Sequence, residues 1–75
     1  MKNEYGLQCP VNWESIGSHY QWVAIDADGE LWAFTSSPKI NNILEQWAPT
    51  SVVYQYMFNV NPPADFTQCL WKRPK

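Results

Sequence analysis

The stretch YQWVAIDADGELWAFT, residues 20–35, decides the fold. Two runs rich in β-branched and aromatic residues flank Asp28-Gly29, and both residues of that pair tolerate positive φ. Such a pattern is the strongest short-range signal for a β-hairpin. With Asp28 and Gly29 as a two-residue loop, Ala27 pairs with Glu30, Ile25 with Trp32 and Val23 with Phe34. Side chains alternate across a strand, so Val23, Ile25, Trp32 and Phe34 share one apolar face, the expected core. Tyr20, Trp22, Ala24, Asp26, Leu31, Ala33 and Thr35 take the other face, which is half apolar and rich for a surface that should meet water.

Outward from the hairpin, the period changes at residues 37–47. Ile40, Ile43, Leu44 and Trp47 recur at i, i+3, i+4, i+7, the spacing of one helical face. Ser37 suits an N-cap, Pro38 the first helical position, and Pro49 a stop. Asn41 and Asn42 are poor helix formers, and Lys39 and Glu45 sit at the wrong ends for the helix dipole. Residues 51–60 (SVVYQYMFNV) are strongly β-prone, with Val52, Tyr54, Tyr56, Phe58 and Val60 on one side. Pro62-Pro63 cannot join a ladder, so residues 61–65 form a loop before a last strand at 66–73. Residues 1–12 read as an arm or short edge strand and 13–19 as a turn. The predicted class is α+β: a small four-stranded antiparallel sheet of two hairpins, with one short helix between them packed on one face. Residues 1–75 form a single domain.

Composition narrows the function classes. Apolar residues make up 45% of the chain and aromatic residues 16%, with five Trp, four Tyr and three Phe. Charged residues contribute 16%, well under the roughly 25% of ordinary soluble domains. A disordered polar chain is excluded, since such chains are aromatic-poor and highly charged. The net charge of −2 and pI near 5.0 exclude a basic-patch nucleic-acid binder. No apolar run approaches the about 18 residues of a membrane span. The start, Met-Lys-Asn-Glu-Tyr-Gly, lacks the apolar stretch of a secretory signal.

Motifs for chemistry are absent. Asp26-Ala-Asp-Gly29 begins like a calcium loop, but the glycine comes too early and no glutamate follows at the required distance. The acids at this tip read as a solvated turn. His19 has no nucleophile elbow or oxyanion motif beside it and reads as a structural histidine. Cys9 and Cys69 lie near opposite ends of the sequence. A reducing compartment keeps them as thiols; a disulfide between them stays open, and a metal site with His19 has no ligand spacing to support it. Three glycines cannot build a phosphate cradle. Trp71-Lys-Arg-Pro74 echoes the end of a WW domain, but the spacing of the preceding aromatics fails. No cofactor, no metal and no enzymatic activity are expected.

GSHYQWVAIDADGELW at 17–32 and DFTQCLWKRP at 65–74 resemble stretches of small bacteriophage and prophage proteins of unknown function. In the first, a His-Tyr strand leads to an Asp-Gly turn and an aromatic return strand; the second matches an aromatic, Leu, Arg-Pro ending. The resemblance implies a phage or prophage product acting in the cytoplasm of a bacterial host cell, and no functional residue is carried by it. The residues themselves suggest a non-catalytic interaction protein that binds another protein or a second copy of itself, a homodimer; the resemblance implies that the other protein is a host protein. Its expected contact surface is Tyr20, Trp22 and Leu31, where small neighbours leave large rings accessible; the competing arrangement has Trp13 and the N-terminal arm covering that face. A single-stranded nucleic-acid binder using the sheet aromatics is the alternative, disfavoured by basic residues that are few and mostly terminal.

Overall fold

Short strands joined by turns make up the fold, and no α-helix forms. The computed structural model describes residues 1–75. Its strands are β1 (Trp22–Ile25), β2 (Glu30–Phe34), β3 (Lys39–Asn41), β4 (Gln46–Ala48), β5 (Tyr54–Asn59) and β6 (Leu70–Lys72). Two 3-10 turns, Trp13–Ser15 and Phe66–Gln68, are the only helical segments. The principal sheet has order β5-β2-β1-β6 with every pair antiparallel; β3 and β4 form a separate two-stranded hairpin.

This overturns the α+β expectation. The predicted helix at 37–47 is the β3–β4 hairpin, with Lys39 opposite Ala48 and Asn41 opposite Gln46. Asn41 explains the outcome. Its side-chain Oδ1 accepts from the backbone N–H groups of Ile43 and Leu44, both at 3.0 Å. A short polar side chain that satisfies nearby N–H groups favours a turn over a helix interior. Glu45 completes the turn at φ 53°. Of the supposed helical face only Trp47 is buried, whereas Ile43 is 93% exposed.

The first hairpin forms around the Asp-Gly pair, but its register is one residue from the predicted one. Trp22 opposes Phe34, Val23 opposes Ala33, Ala24 opposes Trp32 and Ile25 opposes Leu31. The loop holds three residues, Ala27 to Gly29, closed by Asp26 N–H to the Glu30 carbonyl and Gly29 N–H to the Asp26 carbonyl, both 2.9 Å. Only Gly29 has positive φ, 91°, whereas the two-residue type I′ loop needs it at both positions. A slip of one residue exchanges the faces of a strand. Leu31 and Ala33 therefore join Val23 and Ile25, and Trp32 and Phe34 turn to the opposite side.

The remaining strands do not pair with each other as a second hairpin. β5 adds beside β2 and β6 beside β1, at opposite edges. Both sheet faces are consequently covered. Over Val23, Ile25, Leu31, Ala33 and Trp71 lies the N-terminal arm, with Cys9, Trp13 and Tyr20. Against Ala24 and Phe34 pack Trp47 from β4 and Phe66 from the second 3-10 turn. The Trp47 indole N–H donates to the Phe66 carbonyl at 3.1 Å, and the two rings meet edge to face. No helix is long and apolar enough to cross a membrane.

Candidate functional site

The expected contact surface does not exist as one patch. Leu31 is fully buried and Tyr20 nearly so, both under the N-terminal arm. The Tyr20 hydroxyl donates to Gln55 Oε1 at 3.0 Å. Trp22 lies on the opposite face, half-buried, with the Lys72 ammonium 5.5 Å from its ring centre. Covering of Tyr20 and Leu31 by the arm follows from Trp13, whose ring is buried beside them. His19 is exposed and rests on Tyr20, ring centres 4.1 Å apart. Cys9 and Cys69 are free, buried thiols of one core cluster, and burial pushes the Cys69 thiol pKa up.

The exposed rings are elsewhere. Across the register, Lys72, Trp22, Phe34 and Tyr54 form one row, and Leu70, Ala24, Trp32 and Tyr56 the next. Trp32 touches both tyrosines of β5, with ring centres 5.8 Å from Tyr54 and 5.6 Å from Tyr56. Tyr54, Tyr56 and Phe58 are each 40–45% exposed.

The two edges of the sheet are unlike. At β6 the Asn3 amide donates to the carbonyls of Gln68 and Leu70, at 2.7 and 3.1 Å, and the Trp71 indole N–H to the Leu7 carbonyl at 2.8 Å. The N-terminal arm thus caps that edge. β5 pairs on one side only, with β2, and its outer edge has no neighbouring strand. Open edges are usually short, charged or covered because they template pairing with another chain. This one is six residues long, YQYMFN, without a charge.

Beside the edge, a cleft of about 170 Å³ opens between the sheet and the β3–β4 hairpin. Its lining includes Trp32, Phe34, Trp47 and Tyr54 together with Asp26 and Glu30. Asp26 is 6% exposed. Its Oδ1 accepts from the Trp47 backbone N–H at 2.7 Å, and this bond, with Ala27 N–H to the Glu45 carbonyl, ties the second hairpin to the first turn. The carboxylates of Asp26, Asp28 and Glu30 come within 4.8 Å of one another. Burial raises the Asp26 pKa from 3.8 to about 6, the Trp47 N–H opposes this, and the neighbouring charges of Asp28 and Glu30 add to it. From the sequence alone this tip reads as a solvated turn. The burial of Asp26 depends on β4, some twenty residues away in sequence, and no local signal reports it.

The raised pKa has a consequence for stability. The folded protein holds the Asp26 proton more tightly than the unfolded chain, so this group makes stability fall as pH rises from about 4 to about 6. Asp26→Asn keeps an oxygen for the Trp47 N–H and removes the buried charge. The variant should be more stable than the wild type by about 1–2 kcal/mol at pH 7 and by little at pH 3.5, the roughly 1.36 kcal/mol per pKa unit being reduced because solvent reaches the cleft. Urea titrations of both proteins across this range check it; a gain that does not depend on pH would contradict the assignment.

No family model, curated protein or solved structure matches the chain.

Proposed function

We propose that this is a non-catalytic interaction protein that adds a strand of a protein partner to the open edge of β5. The reading is supported by the asymmetry of the sheet: one edge is capped by the chain itself, whereas the other is uncharged and carries Tyr54, Tyr56 and Phe58. In strand addition, main-chain hydrogen bonds supply affinity and alternate side chains supply selectivity. Exposed tyrosines suit this role, since they give large contact area at low entropic cost. The partner we propose is a protein of a bacterial cytoplasm, either a host protein or a second copy of this chain, as the resemblance of residues 17–32 and 65–74 to small phage products suggests.

Tyr56→Lys tests the proposal, because lysine on an edge strand opposes pairing. Tyr56 is 44% exposed, so the substitution should leave stability within about 1 kcal/mol. Expected results are a stoichiometric protein captured from a bacterial lysate by the wild type and lost with the variant, or, where the partner is a second copy, a dimer by light scattering that becomes a monomer. Equal capture and equal mass for both proteins would refute it. Nucleic acid in the eluate, also lost with Tyr56→Lys, would favour base stacking on the β5 aromatics instead.

A further inference from the structure

The cleft between the sheet and the second hairpin combines two features that hydrophobic packing does not need. Four aromatic side chains, Trp32, Phe34, Trp47 and Tyr54, line a space that also receives the carboxylates of Asp26 and Glu30. Phe34 and Trp47 are the buried liners, while Trp32 and Tyr54 are more exposed. No lysine or arginine lines the cleft, so its negative charge has no neutralising group from the chain at that place. Phe34 and Tyr54 are stacked within 18° of parallel, and Trp32 is tilted by 45° to Tyr54, so neighbouring rings present surfaces in different directions. The Trp32 indole N–H donates to Glu30 Oε1 at 3.3 Å, which holds the ring beside the carboxylate.

We propose that this cleft is a binding site for an organic cation, an alkylated ammonium group seated against the accessible rings of Trp32 and Tyr54, over a floor made by the buried Phe34 and Trp47, with its charge facing Asp26 and Glu30. Aromatic faces carry negative quadrupole potential and attract ammonium groups, and quaternary ammonium recognition by aromatic cages is the known functional use of this geometry. Methyl groups on the nitrogen fit the apolar rings, and the positive charge offsets the carboxylates. The volume, about 170 Å³, is several times the roughly 30 Å³ of a liquid water molecule and accepts such a headgroup. A bare metal ion would find carboxylates but would have to shed tightly held water to meet the rings, which an alkylated ammonium group does not. A cation beside Asp26 would also offset a buried charge that disfavours the fold, in addition to the bond that carboxylate makes to the Trp47 N–H. The cleft is separate from the outer edge of β5 and shares only Tyr54 with it, so binding here does not require a partner strand.

The test uses the full chain and nuclear magnetic resonance, following the indole N–H signals of Trp32 and Trp47. Tetramethylammonium chloride and choline chloride should each shift both signals saturably at pH 7.5, whereas the neutral isostere of choline, 3,3-dimethylbutan-1-ol, should bind more than about tenfold more weakly than choline, since a desolvated cation–π contact exceeds one factor of ten in affinity. Glu30→Gln keeps an acceptor for the Trp32 N–H and should weaken tetramethylammonium binding about threefold to tenfold, with the remaining spectrum unchanged. The source of the cation is read from two further ligands. A short peptide carrying trimethyl-lysine that binds tenfold tighter than choline assigns the group to a partner protein; the reverse order assigns it to a free small amine. Equal binding of the cation and the neutral isostere would overturn the proposal. So would calcium chloride shifting the Asp28 and Glu30 amides while tetramethylammonium leaves the indoles unmoved.

Discussion

Arg73→Ala should destabilise the protein by about 3–4 kcal/mol, more than its place near the end of the sequence suggests. The guanidinium donates to four backbone carbonyls: Tyr20 at 2.9 Å, Trp13 at 3.1 Å, Gly17 at 2.8 Å and Ile16 at 3.4 Å. It also lies 5.0 Å from the ring centre of Trp13. Five planar donors in a fixed fork match such a cluster of carbonyls, whereas an ammonium group serves fewer of them. The carbonyls belong to the turn that carries Trp13 over the sheet, and that segment contains no strand of the principal sheet to hold it. Hydrogen bonds to a charged group contribute roughly 1.5–3 kcal/mol each when buried and less when partly exposed, so the sum is discounted for the half-buried setting. Arg73→Lys should recover less than half of the loss. Chemical denaturation measures both, and hydrogen exchange should show the amides around Trp13 and Tyr20 losing protection first. A loss below about 1 kcal/mol, the range of an ordinary surface substitution, would show that the arm is held without Arg73, by its apolar contacts and the hydrogen bonds of Asn3 and Leu7 to β6.

Gly29→Val should cost at least about 3 kcal/mol. Two effects combine. Gly29 has φ 91°, a conformation that costs a residue with a Cβ roughly 1–2 kcal/mol. In addition, a Cβ at this position would overlap the Val60 carbonyl oxygen, which belongs to the backbone and cannot rotate aside. Relief requires the chain after β5 to move, and that breaks the Val60 N–H to Gly29 carbonyl hydrogen bond of 2.8 Å. Gly29→Asn separates the two effects. Asparagine tolerates left-handed backbone but carries the same Cβ, so most of the loss should persist if the overlap dominates. Urea midpoints for the three proteins check this; recovery of wild-type stability in Gly29→Asn would place the cost in conformation alone.

The second effect at Gly29 marks the limit of local reading. Positive φ at this glycine follows from Asp-Gly between two β-prone runs, and the structure has it. The close approach of Val60 does not follow, because the two residues meet only after β5 has paired with β2. The same division runs through the candidate site. Trp32 and Tyr54 are conspicuous rings in the sequence, and residues 51–60 read as a strand from their composition. Which rings stand in water depends on register and on strand order. A two-residue loop places Trp32 in the core beside Val23 and Ile25; a three-residue loop places Leu31 there instead. Both loops satisfy the same Asp-Gly pair, and the choice is made by the packing of Leu31 and Ala33 under Trp13 and Cys9. Asp26 turns from a solvated acid into a buried one only because Trp47 of β4 reaches it.

Sequence by itself determined the hairpin of β1 and β2, the strand character of β5, the turn imposed at Gly29 and the break at Pro62-Pro63; of the strand expected over 66–73 only Leu70–Lys72 forms, because Asp65 caps a 3-10 turn at Phe66–Gln68. The features so determined rest on backbone preferences and two-residue periodicity, which act over a few neighbouring residues. Tertiary structure alone decided the register, the strand order, the fate of residues 37–47 and the identity of the exposed surface. At 37–47 a weak helical period competed with the turn made by Asn41, and the bonds from Asp26 to Trp47 and from Ala27 to Glu45 reward the hairpin. The energy that settles such near-equal local choices comes from burial and hydrogen bonds between segments far apart in the chain, and no short window of sequence contains it.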